Sequence, residues 1–369
     1  MGRWKFPLAM LAVAALLLWP ETALNAGREA MRTWAASVAP ALFPFLLLMP
    51  ALTGAEAARA YEALLGRWMR PLLGLPGAAA PAVAVGMLAG SPAGAAAAVR
   101  TAKRTGMDAR TLERLTGCVC GLGPGFLVSG IGASMLGSAA DGRILLRSQL
   151  AAQTLMLLLS RRTAELQPTI ADDASVEEEP VRAAVRATLS VCGYMAAFQM
   201  LAALLGRALR VPAAGMAALC LLDLPSGAKA VSALPMARGA RLILLSAMTG
   251  FGGLCIAMQN YGQCRRAGVR LRAILAARAA AAAIMAAATA VQLSFPRPTA
   301  IFHGQILELS ALCAGVFALP AWFFSAKTLF LNKQKNPGNS LQSGENIRKS
   351  TICSIESENS NQYVVDGKT

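Results

Sequence analysis

Apolar residues run along this chain in blocks, and uncharged blocks of about 20 residues have the length that crosses a bilayer as one helix. The first block runs from Phe6 to about Leu24, behind Arg3 and Lys5. Others lie at about 36–53, 77–99, 115–140, 144–160, 183–206, 211–235, 240–262, 271–293 and 306–331. The pattern predicts an all-α integral membrane protein, a polytopic helical bundle of about eight to ten membrane elements. The basic start and Ala-rich end of the first block fit a signal peptide. Its length and the many blocks behind it favour a retained signal anchor with a cytoplasmic amino terminus.

Between Thr53 and Leu72 the pattern changes. Glu56, Arg59, Glu62, Arg67 and Arg70 alternate at helical spacing with Tyr61, Leu64, Leu65, Trp68 and Met69. This predicts an amphipathic helix over 54–71 lying in the membrane interface. Residues 165–182 hold six of the 19 acidic residues and two prolines. They form a solvated acidic linker between a first membrane half, 1–164, and a second, 183–331. Residues 332–369, rich in Asn, Ser, Gly and Lys, read as a disordered polar tail.

Composition narrows the function. Of 369 residues, 56% are hydrophobic and 15% charged, which excludes a soluble globular chain. The net charge of +16 suggests nucleic acid at first sight, but the basic residues fall between apolar blocks with few aromatics among them. No nucleic-acid partner is expected. Arg100, Lys103, Arg104, Arg110 and Arg114 form one basic loop, and Arg265, Arg266, Arg270 and Arg272 another, both read as cytoplasmic topology determinants. The eight cysteines show no C-x-x-C pair and the sole histidine is His303, so no metal or other cofactor is expected. Paired catalytic carboxylates and Ser-His or Cys-His constellations are lacking too, which argues against an enzyme.

The informative positions interrupt apolar blocks. Gly90, Ser91, Pro92 and Gly94 stand inside one, and Asp223, Pro225, Ser226, Gly227 and Lys229 inside another. Pro92-Ala93-Gly94-Ala95 and Pro225-Ser226-Gly227-Ala228 match 133 positions apart. A second glycine-rich element follows each: Gly121-Leu122-Gly123-Pro124-Gly125, and Gly250-Phe251-Gly252-Gly253, 129 positions on. Two landmarks recurring in order suggest two internal repeats with paired broken or re-entrant helices. Unwound backbone inside a membrane must be satisfied by protein or water, and paired breaks point to a solute pathway. Close helix packing through small residues is the alternative. Asp223 and Lys229 are candidates for a mutual pair across the break, for binding and coupling roles, or for the ends of a short helix reaching the interface. Further polar candidates are Ser129, Ser134, Gln149, Gln153, Gln259, Asn260 and Glu308.

With these residues in view, the chain resembles the sporulation integral membrane proteins of the YlbJ type, which belong with the nucleoside-recognition or Gate-domain membrane proteins. The resemblance covers about residues 5–295 and rests on Pro40 to Phe45, Gly90 to Ala95, Pro124 to Phe126 leading into Gly132 and Gly137, Asp223 to Gly227, and Gly250 to Leu254 with Gln259. The chain departs from the family pattern where Cys120 and Gly121 replace Asn, where Pro225 and Ser226 replace Thr and Asn, and where Ala257 and Met258 replace a frequent His. The resemblance implies a bacterial membrane protein of endospore formation that supports the spore cortex and moves dipicolinate across the outer forespore membrane. A non-transporting scaffold for sporulation or envelope assembly is the alternative. The implied partners are the bilayer and a small anionic solute, with a homo-oligomer or sporulation membrane proteins left open.

Overall fold

A computed structural model describes residues 5–161, 179–209 and 212–295, all within one unit of the chain, Met1–Phe317. The acidic linker through residue 178, the block at 306–331 with His303 and Glu308, and the polar tail lie outside the described residues. Every regular element among the described residues is a helix. In chain order these are α1 (Lys5–Leu18), α2 (Pro20–Thr33), α3 (Ala39–Thr53), α4 (Ala55–Leu73), α5 (Ala80–Leu88), α6 (Ala93–Thr105), α7 (Ala109–Val119), a π-helical segment (Phe126–Met135), α8 (Ala139–Leu159), α9 (Pro180–Leu209), α10 (Pro212–Leu222), α11 (Leu224–Ser232), α12 (Arg238–Phe251), α13 (Gly253–Cys264) and α14 (Leu271–Ser294). The stretches Pro180–Leu209, Arg238–Ala267 and Leu271–Ser294 are long and apolar enough to cross a membrane.

The first block is not one straight span. It ends at Leu18, and α2 leaves at 98° because Pro20 opens a new helix and cannot donate back to the preceding turn. The stretch read as amphipathic is helical from Ala55 to Leu73, where Gly74 (φ +62°) supplies the left-handed C-terminal cap. It meets the following segment at 91°.

Residue contacts fix the direction of each strand of the bundle. Cys118 Sγ lies 3.8 Å from Ser160 Oγ, Leu122 bonds Gln149, and Gly132 has the Gly142 backbone against its Cα. The chain from α7 through the π segment therefore runs antiparallel to α8. In the second half, Gly250 sits on Ala282 and Gly239 beside Leu293, so α12 and α13 run antiparallel to α14. Asp141 pairs with Arg238, and Ser148 and Ser246 share Thr289, which aligns α8 parallel to α12. Glu113 pairs with Arg270 and Gly117 packs on Ala277, aligning α7 with α14.

The two three-part units thus run in opposite directions. One end of the bundle carries the start of α7, the end of α8 and the start of α14; the other carries the start of α8, the start of α12 and the end of α14. This is an inverted repeat, with matching positions 129 apart. Both basic loops of the sequence fall at the first end.

The preceding hairpins obey the same symmetry. Gly94 packs on Gly86, folding α6 back along α5, and Gly227 packs on Cys220, folding α11 back along α10. A side chain at either crossing would meet backbone within 3 Å. The pairs α5–α6 and α10–α11 are therefore helical hairpins that turn back on themselves. The first returns to the start of α7 and the second to the start of α12, so they enter from opposite ends of the bundle.

Candidate functional site

Each hairpin tip meets the unwound segment of its own repeat at mid-depth. In the first, Gly90 takes φ +72°, and a Cβ there would meet Gly123 N and the Leu122 carbonyl carbon at 2.6 Å. Only glycine allows that approach. Ser91 N donates to the Gly121 carbonyl at 2.7 Å. Pro92 follows in the tip and Pro124 in the facing segment, both unable to donate an amide hydrogen bond. In the second repeat, Gly253 (φ +77°) faces the Leu222 carbonyl and Leu224 N, each 3.3 Å from its Cβ position. Gly252 beside it is also left-handed, at φ +81°.

Asp223 caps α11. Its Oδ2 accepts from Ser226 N at 3.1 Å and from Ser226 Oγ, while Pro225 occupies the first turn, where a missing N–H costs nothing. The residue is fully buried, Gln199 of α9 lies beside its carboxylate, and Oδ1 has no hydrogen-bond partner. Lys229 stands in the last turn of α11 on an exposed face and forms no ion pair with Asp223. The mutual pair across the break, one of the sequence readings, is not formed.

The breaks are held by side chains from the last helix of each repeat. Gln149 of α8 accepts from Leu122 N at 2.8 Å and donates to the Leu122 carbonyl at 2.7 Å. At the equivalent position of the second repeat, 129 residues on, Arg278 of α14 donates through Nε to the Phe251 carbonyl at 3.2 Å. Its Nη2 donates to the carbonyls of Thr249, at 3.3 Å, and Gly250. Gly121 and Gly250 sit directly under α8 and α14, where a Cβ would strike Gln153 and Ala282.

The repeats also interlock. Asn260 Nδ2 of α13 donates to Ser91 Oγ at 3.1 Å, and the Cys264 thiol contacts the Ala95 carbonyl. Gln259, next to Asn260, turns back to Cys255 of its own helix at 3.3 Å. The reciprocal crossing, between α11 and the π segment, is apolar: Leu224 and Ile131 are both buried in one cluster. The breaks therefore meet across one polar and one apolar seam. Buried amide atoms without partners, Gln153 Oε1 and Nε2 and Asn260 Oδ1, line the polar one. Ser129 and Ser134 lie on exposed faces of the π segment, away from it.

Arg278 and Gln199 were not singled out by the sequence pattern. Arg278 reads there as one more basic residue of a helix that carries Arg272 in its first turn. Projecting Gln149 forward by the repeat offset of 129 lands on Arg278, a signal available in the sequence alone.

No family model matches the chain, and no solved structure matches it. Over 136 residues it is 27% identical to the sporulation integral membrane protein YlbJ of Bacillus subtilis (strain 168). The chain is similar to a sporulation membrane protein. The match covers 37% of this chain and 33% of that relative, so the chain spans about a third of the relative's length. The apolar helices and this likeness together make it an integral membrane protein.

Proposed function

We propose that this chain is a sporulation-associated membrane transporter that carries a small anionic solute such as dipicolinate. In this reading it works across the outer forespore membrane and supports spore cortex formation. The observation that carries the reading is the meeting, at mid-depth, of two helical hairpins entering from opposite ends with two unwound segments. Inverted repeats with discontinuous helices are the architecture in which a central site opens alternately to either side as one repeat rocks against the other. The likeness to a sporulation membrane protein supports the physiological setting.

In this reading the pathway is lined by Gly90, Ser91, Pro92 and Gly94 of the first hairpin and by Gly121, Gly123 and Pro124 of the first unwound segment. The second repeat contributes Asp223, Pro225, Ser226 and Gly227 of its hairpin with Gly250, Gly252, Gly253 and Gln259. Asp223 is the coupling-ion or proton site, since a buried carboxylate with one unpartnered oxygen requires a positive partner or a proton. Lys229, exposed at the root of the second hairpin, draws anions toward its mouth.

The test is uptake into reconstituted vesicles, comparing dipicolinate, simple dicarboxylates and nucleosides. Uptake of dicarboxylates, lost in an Asp223→Ala, Lys229→Ala double variant that inserts normally, is the expected result. Absence of uptake for every solute overturns transport and leaves the membrane scaffold.

A further inference from the structure

Arg278 caps the last turn of α12, and it combines that role with three further features. It is 3% exposed in the middle of the bundle, where a charged side chain is costly unless it is paired or wet. It forms no ion pair with a carboxylate among the described residues, and the thiols of Cys118 and Cys120 lie near it. Three of its N–H directions go to the carbonyls of residues 249–251, all from Nε and Nη2, and Nη1 has no hydrogen-bond partner among the described residues.

The position matters as much as the charge. The carbonyls it holds end α12 at the break marked by Gly252, its Nη2 lies 3.8 Å from a Cβ position on Gly252, and of the thiols beside it Cys118 lies in the last turn of α7 and Cys120 opens the first unwound segment. The guanidinium therefore stands between the two breaks, beside the polar seam of Ser91 and Asn260. The equivalent place in the first repeat is filled by Gln149, which satisfies its unwound segment with a neutral amide. Holding backbone needs no charge.

We propose that Arg278 is the anion-recognition residue of the pathway, receiving a carboxylate of the solute on its Nη1 edge between the end of α12 and the first unwound segment. This rests on the reading of the chain as a carrier of small anions and names the group that selects them. Neutral thiols are suitable neighbours, because they do not repel a carboxylate. The carbonyls on Nε and Nη2 fix the plane of the guanidinium, so its free edge is preorganised.

The experiment is calorimetric binding to the purified full chain in nanodiscs, with dipicolinate and succinate as probes and uridine as a neutral control. Arg278→Gln installs the residue that serves the equivalent position in the first repeat and keeps a donor for the carbonyls. Dicarboxylate affinity is expected to fall at least about tenfold in Arg278→Gln, the scale of removing one partner of a buried charge pair, and to persist in part in Arg278→Lys. Equal affinity in wild type and Arg278→Gln overturns the assignment and leaves anion transport standing. Failure of the wild type to bind either dicarboxylate overturns both. A second measurement needs no variant: dipicolinate is expected to slow alkylation of Cys118 and Cys120 in the wild type, read by mass spectrometry, and an unchanged rate counts against the site.

Discussion

Gln149 and Arg278 stand 129 positions apart and serve equivalent places: each reaches from the last helix of its repeat to the backbone at the break, Gln149 to the unwound Leu122 and Arg278 to the carbonyls that end α12. Backbone groups inside a bilayer have no water to turn to, so an unwound segment persists only where a side chain replaces the lost helical partner. The inverted repeat meets this demand twice with different chemistry. One clamp is neutral and self-contained, and the other brings a charge into the centre of the molecule.

Removing the neutral clamp tests this directly. Gln149→Leu leaves the N–H and C=O of Leu122 without partners in a buried site, at about 1–3 kcal/mol for each orphaned group. Its thermal unfolding midpoint in detergent is expected to fall clearly below that of wild type. Gln149→Glu can serve both groups only as the neutral acid, its O–H donating to the Leu122 carbonyl, and it bears the cost of holding that proton at neutral pH, so it should fall in between. Equal midpoints for all three would mean that the segment finds its partners elsewhere.

The hairpin crossings make a sharper contrast. A Cβ at Gly94 would sit 2.5 Å from the Val119 carbonyl oxygen and 2.8 Å from Gly86 Cα, and one at Gly227 would sit 2.7 Å from Cys220 Cα. These are backbone atoms that cannot rotate away, so Gly94→Ala and Gly227→Ala should each destabilise by about 1–3 kcal/mol or more. Gly193 and Gly206 in α9 have nothing within 4 Å of a Cβ. Alanine there should be neutral or stabilise by about 0.5–1 kcal/mol. The same melting measurement ranks the four variants, and a tolerated Gly94→Ala, Gly227→Ala pair contradicts the close crossings.

Much of this architecture is legible in the sequence because its breaks need special residues. A tip that takes φ +72° or a crossing without room for a Cβ selects glycine, and Pro92 and Pro225 mark the same places, so the offsets of 133 and 129 survive in the letters. The bend at Trp19 is not legible, since a proline at the start of a helix is compatible with a continuous apolar block. Nor does the sequence show which way Lys229 faces, because a nine-residue helix between two apolar surfaces gives no clear polar side. Arg278 escapes for the opposite reason: a buried cation and an interfacial one look identical until the carbonyls around it are known. That each hairpin turns back on itself is decided by the Gly86 and Cys220 contacts, which join residues that periodicity treats alike.

The inverted repeat predicts a labelling pattern. Ala109 and Arg266 are exposed at one end of the bundle, and Ala140 and Ala237 at the other. Single cysteine substitutions at the first two should react with a membrane-impermeant thiol reagent from one side only, and those at the second two from the opposite side. The end with both basic loops should be the cytoplasmic one. Labelling of Ala109→Cys and Ala140→Cys from the same face would remove the inversion.

Acid should weaken one of the two clips that join the repeats. Glu113 accepts from Arg270 Nε at 2.8 Å, from Nη2 at 2.7 Å and from the Arg270 backbone N at 2.9 Å. Those bonds favour the carboxylate and hold the Glu113 carboxyl below its ordinary range, with the Arg270 side chain as the first cause. Because the folded carboxyl is the more acidic, its contribution is complete above the unfolded value of about 4.3. It is lost as pH falls through the lower folded value. Glu113→Gln should therefore unfold more readily than wild type at neutral pH, with the gap closing as the solution is acidified below pH about 4. Asp108 caps α7 through the N–H groups of Arg110 and Thr111 in both proteins, so its own acid response cancels from the difference. Denaturation midpoints across this range check the point. A gap that stays constant from neutral to acid pH would mean that the lost packing of the side chain, not its charge, sets the stability of the clip.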